Sequence, residues 1–147
     1  MKKVKTNGFT LIELLVVLVI VSILATIVLV SLGSVRAKAR DARRESDIRQ
    51  MMLAMEMYYD SVLKYPEKGT LGTTVQPPTV IGVYLSPVPE DPGATPPACV
   101  GGYQWRGNTG ASQQYCLWAC LESGVFFAAS PKGTRMLENA PTGLDCW

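Results

Sequence analysis

The sequence contains no histidine among its 147 residues, and this absence narrows the chemistry open to the protein. Histidine is the side chain that proteins use most often as a general acid or base and as a metal ligand. The chain also lacks a nucleophile elbow, a phosphate-binding loop and a pair of carboxylates spaced for acid–base catalysis. We therefore predict that the protein is not an enzyme and has no cofactor.

The chain also has no large excess of positive or of negative charge. The formal net charge is +2, and three of the fourteen basic residues, Lys2, Lys3 and Lys5, lie within the first eight positions. The rest of the chain is close to neutral, whereas nucleic-acid binding needs a concentrated basic surface. We expect no nucleic-acid partner.

Residues 9–32 are almost free of charge, since Glu13 is the only charged residue among them. A helix of this length measures roughly 36 Å, enough to cross a hydrocarbon core of about 30 Å. The lysines before it favour a cytoplasmic N-terminus. The pattern predicts a single-pass protein of the cytoplasmic (inner) membrane with an extracytoplasmic C-terminal domain. A cleaved signal peptide would have an apolar stretch of only about 7 to 15 residues.

Glu13 is costly in this position, because an acid within a membrane helix is disfavoured by roughly 2.5 to 3.5 kcal/mol. One interpretation is that the side chain lies near the cytoplasmic interface and has no role. The other is that it has a cationic partner. If the chain were cut between Gly8 and Phe9, the new α-amine would be a cation available to the Glu13 of a neighbouring subunit.

Several features of residues 2–17 occur together: a short basic leader, Gly8 before a cut and Phe9 after it, Glu13 as the fifth residue of the cut chain, and an apolar helix. This arrangement resembles the class III leader and mature N-terminus of type IV pilins and type II secretion pseudopilins. The resemblance implies that a prepilin peptidase cuts after Gly8 and N-methylates Phe9. It also implies that Glu13 neutralises the Phe9 amine of a neighbour and sets the subunit register.

The resemblance implies partners and a location too. The partners would be identical subunits in a helical filament, other pilins or pseudopilins, an assembly-platform membrane protein and the lipid bilayer. The protein would be a structural subunit of a type IV pilus or of a pseudopilus for protein secretion, in a filament at the cell surface or in the periplasm. Residues 84–93 are most similar to major pseudopilins. The alternative is a monomeric membrane-anchored binding module with a disulfide-stapled head.

We expect an α+β, pilin-like fold in which a long N-terminal helix packs on a small antiparallel sheet. The expected order is a leader at 1–8, a transmembrane and assembly helix at 9–33, and an extracytoplasmic head at 34–147. Within the head we expect an amphipathic helix at 34–63, a proline-rich loop at 64–98, a sheet at 99–130 and a tail at 131–147. No proline interrupts residues 9–65, so both helical segments can be continuous.

The apolar pattern of the head predicts how its helix and sheet pack. A helical stripe recurs at steps of three and four: Ile48, Met52, Met55, Tyr59 and Val62. Strands are expected at 101–106, 113–122 and 125–129. One face of the second strand is apolar enough to cover the stripe: Tyr115, Leu117, Ala119 and Leu121.

The loop before the sheet contains eight of the ten prolines, with a short apolar segment at 80–85 that forms either a helical turn or an edge strand. Glu90 and Asp91 are candidate calcium ligands. Two adjacent acids lack the oxygen-rich spacing of a dedicated calcium site, so we predict no metal there.

Four cysteines in an exported domain predict two disulfides. A strand at 113–122 would separate Cys116 from Cys120 by about 13 Å, too far for a bond. Two pairings remain: Cys99 with Cys120 and Cys116 with Cys146, which we prefer, or Cys99 with Cys116 and Cys120 with Cys146. A zinc site is disfavoured because the spacing lacks paired Cys-x-x-Cys knuckles.

A basic cluster follows the apolar segment and is interleaved with acids. Its basic members are Arg36, Lys38, Arg40, Arg43 and Arg44. One interpretation is a solvated helix face with pairs such as Arg43 and Asp47, each worth a few tenths of a kcal/mol. The other is charge matching between subunits along a filament.

Overall fold

The computed structural model describes residues 8–93, 102–111 and 113–147, with residues 30 and 31 described by their backbone alone. It contains one long helix, α1 (Leu11–Val62), and an antiparallel sheet whose five strands follow one another in chain order. The strands are β1 (Thr74–Val75), β2 (Gln104–Arg106), β3 (Leu117–Cys120), β4 (Phe126–Ser130) and β5 (Gly133–Leu137). The α+β, pilin-like class predicted from the sequence is confirmed. The chain divides into two compact units, Met1–Arg36 and Ala37–Trp147.

Within the first unit, the apolar residues of α1 are exposed along the whole described stretch. Among the residues that the structure describes, α1 is the one helix long and apolar enough to cross a membrane. As the absence of proline from residues 9–65 predicts, α1 is one continuous helix as far as Val62.

The core of the second unit lies between α1 and the inner face of the sheet. On the helix, Ile48, Met51 and Met55 are fully buried. On the sheet side, the predicted set is confirmed, since all four members are at most 3% exposed: Tyr115, Leu117, Ala119 and Leu121. Trp105 stacks on Tyr115 with ring centroids 5.8 Å apart and extends this core towards β2.

The predicted helical stripe was wrong in part. Met52 and Tyr59 are only partly buried, Val62 is 42% exposed, and Met51 takes the central position. Met51 lies three residues after Ile48 and four before Met55, so these three form an equally good 3.6-residue repeat. The helix also ends at Val62, where Leu63 adopts a φ of 57°, and the chain turns away before Val62 can be covered.

The predicted sheet boundaries of 99–130 were wrong at both ends. β1 lies within the expected proline-rich loop, where Thr74 and Val75 pair with Arg106 and Trp105. β5 lies within the expected tail and pairs along its whole length with β4. The sequence does not indicate β1 because two residues are too few to show an alternation of apolar and polar side chains. It does not indicate β5 because this is an edge strand whose three central residues are all exposed. β2 and β3 are shorter than predicted, whereas β4 has the predicted length and begins one residue later. Residue 101 lies outside the described residues.

The apolar segment at 80–85 forms neither a helix nor a ladder strand. Ile81 and Leu85 make an isolated antiparallel bridge around a tight turn. Gly82 has a φ of 53° there, and a Cβ at this position would lie 2.7 Å from the Tyr58 ring. Glycine therefore lets the turn pack directly on α1.

Buried Asn108 joins the loop before β1 to the β2–β3 connection. Its side-chain oxygen accepts from the Lys68 N–H at 3.0 Å, and its amide nitrogen donates to the carbonyls of Pro66 and Gln114 at 3.1 and 3.0 Å. Since these are backbone groups of two separate segments, one amide side chain fixes both.

Candidate assembly site

The segment around the predicted cleavage point precedes the helix. Gly8, Phe9 and Thr10 are exposed and lie outside regular secondary structure, and α1 begins at Leu11. The Phe9 side chain is 77% exposed. The peptide bond between Gly8 and Phe9 therefore lies in an exposed stretch that a processing enzyme can reach.

Thr10 and Glu13 form a reciprocal cap at the start of α1. The Thr10 N–H and hydroxyl both donate to one Glu13 carboxylate oxygen, at 2.9 and 2.7 Å. The Glu13 N–H donates in return to the Thr10 hydroxyl at 3.3 Å. This is the Thr-x-x-Glu capping box, which satisfies backbone donors at a helix N-terminus. It holds the Glu13 carboxylate close to the segment that contains Phe9.

Thr10 was not singled out in the sequence, although the signal was readable. A threonine followed three residues later by glutamate, just before an apolar run, is typical of a helix start. The structure adds that Glu13 also begins the helix.

Between Leu14 and Leu29, α1 presents apolar side chains with few polar groups. The hydroxyls of Ser22 and Thr26 are satisfied within the helix, since Ser22 donates to the Leu18 carbonyl and Thr26 to the Ile23 carbonyl, each at 2.7 Å. Hydroxyls bonded in this way do not need a partner from another molecule. The surface is suited to lipid or to another apolar helix.

In the head, Arg44 from the basic cluster is fully buried, which neither sequence interpretation predicted. Its guanidinium donates to Asp91 at 3.0 and 3.2 Å, to Asp41 at 2.8 Å and to Glu122 at 3.3 Å. It also donates to the Gly93 carbonyl at 2.7 Å. A buried guanidinium is tolerated because its donors are paired with acids and a carbonyl. Arg44 thereby connects α1 to the loop at 91–93 and to the end of β3.

Arg40 reinforces the same cluster from one turn earlier. Its guanidinium makes two hydrogen bonds to the Glu122 carboxylate, one of them at 2.7 Å. Asp41 completes the link by accepting from the Glu122 N–H at 2.9 Å. The expected ion pair between Arg43 and Asp47 is present: 3.8 Å separates the Arg43 Nε from the Asp47 Oδ2, and the Arg43 side chain is largely exposed. The cluster is therefore mostly an anchor of the sheet on the helix.

We expect this anchor to be sensitive to acid. The hydrogen bond from Arg40 holds the pKa of the Glu122 carboxyl below its usual range, and the bond from Arg44 acts in the same direction. A carboxyl with a lower pKa in the folded state stabilises the fold above its unfolded pKa, which is about 4.3 for glutamate. This contribution is lost as the pH falls from there through the folded pKa.

Glu122→Gln should therefore flatten the decrease in unfolding free energy below about pH 4.3. The measurement is urea unfolding of the protein in detergent micelles across a pH series. Glu138→Gln, at an exposed carboxylate directly after β5, is the matched control and should leave the slope unchanged. An equal slope for Glu122→Gln and the parent protein would contradict the assignment.

Glu90 and Asp91 lie in the loop that Arg44 contacts. Both oxygens of Asp91 accept hydrogen bonds from Arg44, and one also accepts from the Gly93 N–H at 2.9 Å. Within the described ranges, no three side chains of the metal-ligating types converge on one point. The role of Asp91 in the structure is that of an ion-pair partner.

Of the two predicted disulfides, the one between Cys116 and Cys146 is present, with Cα atoms 5.1 Å apart. It lies on the outer face of the sheet, where Trp118 and Ala128 are also buried. Cys120 lies in β3, whereas Cys99 lies outside the described residues, so its pairing with Cys120 stays a prediction. The bonded pair covers the outer face with the segment that follows β5.

Comparison with known proteins gives two kinds of match. Residues 3–29 match the family model described as the prokaryotic N-terminal methylation motif. The chain is 36% identical over 106 residues to type II secretion system core protein G of Aeromonas hydrophila, covering 65% of this chain and 73% of that protein. It is 33% identical over 97 residues to core protein G of Escherichia coli K12, covering 60% and 67%.

Proposed function

The chain belongs to the family of type II secretion system core protein G, whose members are structural pseudopilins, and we propose that it is the repeating subunit of a type II secretion pseudopilus. Processing by a prepilin peptidase and assembly into a filament with other pseudopilins follow from this family. The chain is a membrane-anchored structural subunit rather than an enzyme.

One observation carries the proposal: the single acid of the apolar segment lies at the very start of α1, next to the Gly8–Phe9 bond. Cleavage of that bond would create an α-amine on Phe9, four positions before the helix residue Glu13. The capping box holds the carboxylate at this end of the helix, where the amine of a neighbouring subunit can approach it. Two charges that are each costly in an apolar surrounding then neutralise each other.

We propose the following topology and partners. The N-terminal lysines keep the leader in the cytoplasm, and the head lies on the extracytoplasmic side. The exposed apolar side chains of α1 contact the bilayer before assembly and identical subunits afterwards. The prepilin peptidase acts at Gly8 and methylates Phe9, and an assembly-platform membrane protein receives the processed subunit.

The test is the intact mass of the protein extracted from its native membrane, measured with and without reduction. We expect a chain that lacks residues 1–8 and has gained one methyl group, and that gains four hydrogens on reduction of two disulfides. A Gly8→Val variant, which places a branched side chain beside the cut bond, provides the uncut reference. An uncut, unmethylated parent chain would contradict the proposal and favour a monomeric anchored binding module.

A further inference from the structure

The segment that follows β5 covers the outer face of the sheet, and we call residues 139–147 the strap. The bond between Cys146 and Cys116 attaches the strap to the sheet, above a small cluster that includes the buried Trp118 and Ala128. This outer cluster shares no residue with the core between α1 and the inner face of the sheet. The strap can therefore move without opening that core.

The strap makes few non-covalent contacts with the rest of the head. It contains no helix or strand, and among the described residues no backbone–backbone hydrogen bond joins it to another segment. The Arg106 guanidinium donates to the Thr142 carbonyl at 2.6 Å, and the Arg135 guanidinium lies 6.0 Å from the centroid of the Trp147 ring. Ordering each residue costs conformational entropy, and exposed polar contacts recover little of it. The covalent bond is therefore the main attachment of the strap.

The backbone of Cys146 is strained in the attached state. Its φ is 67°, in the left-handed region that residues with a side chain rarely adopt. The bond to Cys116 and the contacts of the neighbouring residues hold Cys146 in this conformation. Once the bond is broken, relaxation of this strain favours departure of the strap.

Lys132, in the turn between β4 and β5, holds the strap on both sides of Cys146. Its ammonium group donates to the Asp145 carboxylate and to the Trp147 carbonyl, the latter at 3.1 Å. Its own backbone N–H donates to the Ser130 hydroxyl at 3.2 Å, which fixes the turn that carries it. One side chain therefore opposes lifting of the part of the strap that contains the disulfide.

Burial makes this lifting necessary for reduction of the bond. Cys116 is 0% exposed and Cys146 is 5% exposed. A thiolate reduces a disulfide by direct attack on one of its sulfur atoms, so it must first reach that atom. The strap must therefore lift before an external thiol can react, and Lys132 slows this step.

We propose that the strap is a redox-controlled cover of the outer face, closed by the Cys116–Cys146 bond and held by Lys132. To open it, an external dithiol passes two electrons and two protons to the two sulfurs, which become thiols, while the dithiol becomes a disulfide. The strap then leaves and exposes Trp118, and the core between α1 and the sheet stays folded. Oxidation of the two thiols closes the cover again. This device does not depend on the proposed function in a filament.

The covalent part is tested with the double variant Cys116→Ala and Cys146→Ala, as a full chain in detergent micelles. Amide hydrogen exchange, followed by mass spectrometry, should be at least about tenfold faster in residues 139–147 than in the parent. Exchange in residues 48–55 of α1 should stay within about twofold of the parent. Parent-like exchange in the strap would show that the bond does not hold it, and faster exchange in α1 would show that the bond supports the whole head. Either result would overturn the proposal.

The role of Lys132 is tested by the rate at which dithiothreitol reduces the parent and the Lys132→Met variant. Alkylation of the released Cys116 and Cys146 thiols, with peptide masses, follows this bond specifically. Reduction should be about fivefold faster in the variant, and about 1 M sodium chloride should accelerate only the parent, since the pair with Asp145 is largely exposed. Lys64→Met, at an exposed lysine outside the sheet, is the control and should behave like the parent. Equal rates for the parent and Lys132→Met would overturn the role of Lys132.

Discussion

The Glu13→Gln variant is expected to be inserted and cleaved like the parent protein and to yield almost no filaments. Glutamine has nearly the same shape, and its amide oxygen can still accept the hydrogen bonds from Thr10 that begin α1. Only the charge is removed. We expect filament yield to fall roughly a hundredfold or more, because an unpaired Phe9 amine would recur at every subunit contact in an apolar surrounding.

The measurement compares sedimentable filaments with the mass of the membrane-bound subunit. Loss of residues 1–8 in the variant would establish that processing is intact, and helical content in micelles would establish that the cap is retained. Glu45→Gln is the control, since it removes an acid that is paired with Arg49 on the head. Normal filaments from Glu13→Gln would rule out charge neutralisation as the purpose of this residue.

Arg44→Met is expected to destabilise the head by about 3 to 5 kcal/mol, the usual cost of removing one partner from a buried ion pair. Methionine fills most of the volume but leaves Asp41 and Asp91 without their shared donor. Arg43→Met is the matched control at the adjacent position, where the side chain is 64% exposed. It should change the unfolding free energy by less than about 0.5 kcal/mol.

Urea unfolding of the processed protein in micelles, followed by tryptophan fluorescence, measures this difference. Trp105 and Trp118 are buried on opposite sides of the sheet and report loss of the head fold. The apolar segment of α1 contains no tryptophan and does not contribute to the signal. Equal midpoints for the Arg44 and Arg43 variants would mean that the buried cluster does not hold the sheet on the helix.

The N-terminal part of the site could be predicted from the sequence because its signal is local. A single acid in an apolar run, with lysines before it and no proline behind it, indicates a membrane helix and the continuity of α1. The same is true of the apolar residues around β3, of which Tyr115, Leu117 and Ala119 lie at alternate positions on one face of the strand. Each of these inferences depends only on residues that are close in sequence, within a few helical turns or within one strand.

The remaining features depend on distant residues and could not be predicted. Arg44 is buried because Asp91 and Glu122 reach it from 47 and 78 positions away, and no helical periodicity encodes those partners. The choice of Met51 over Met52 for the core depends on the angle at which the sheet meets the helix. β1 was missed because a strand of two residues becomes visible only through its pairing with β2.

The strand order has a consequence for how the head can form. Every strand pairs with the one that precedes it along the chain, so the sheet is a simple meander without crossovers. From β2 onwards these contacts close short loops, which favours rapid pairing. This part of the sheet can therefore grow one strand at a time against α1, in the order in which the chain is made. Two contacts must wait for more distant segments: β1 pairs with β2, where Thr74 meets Arg106, and Cys116 bonds to Cys146, 30 residues further on.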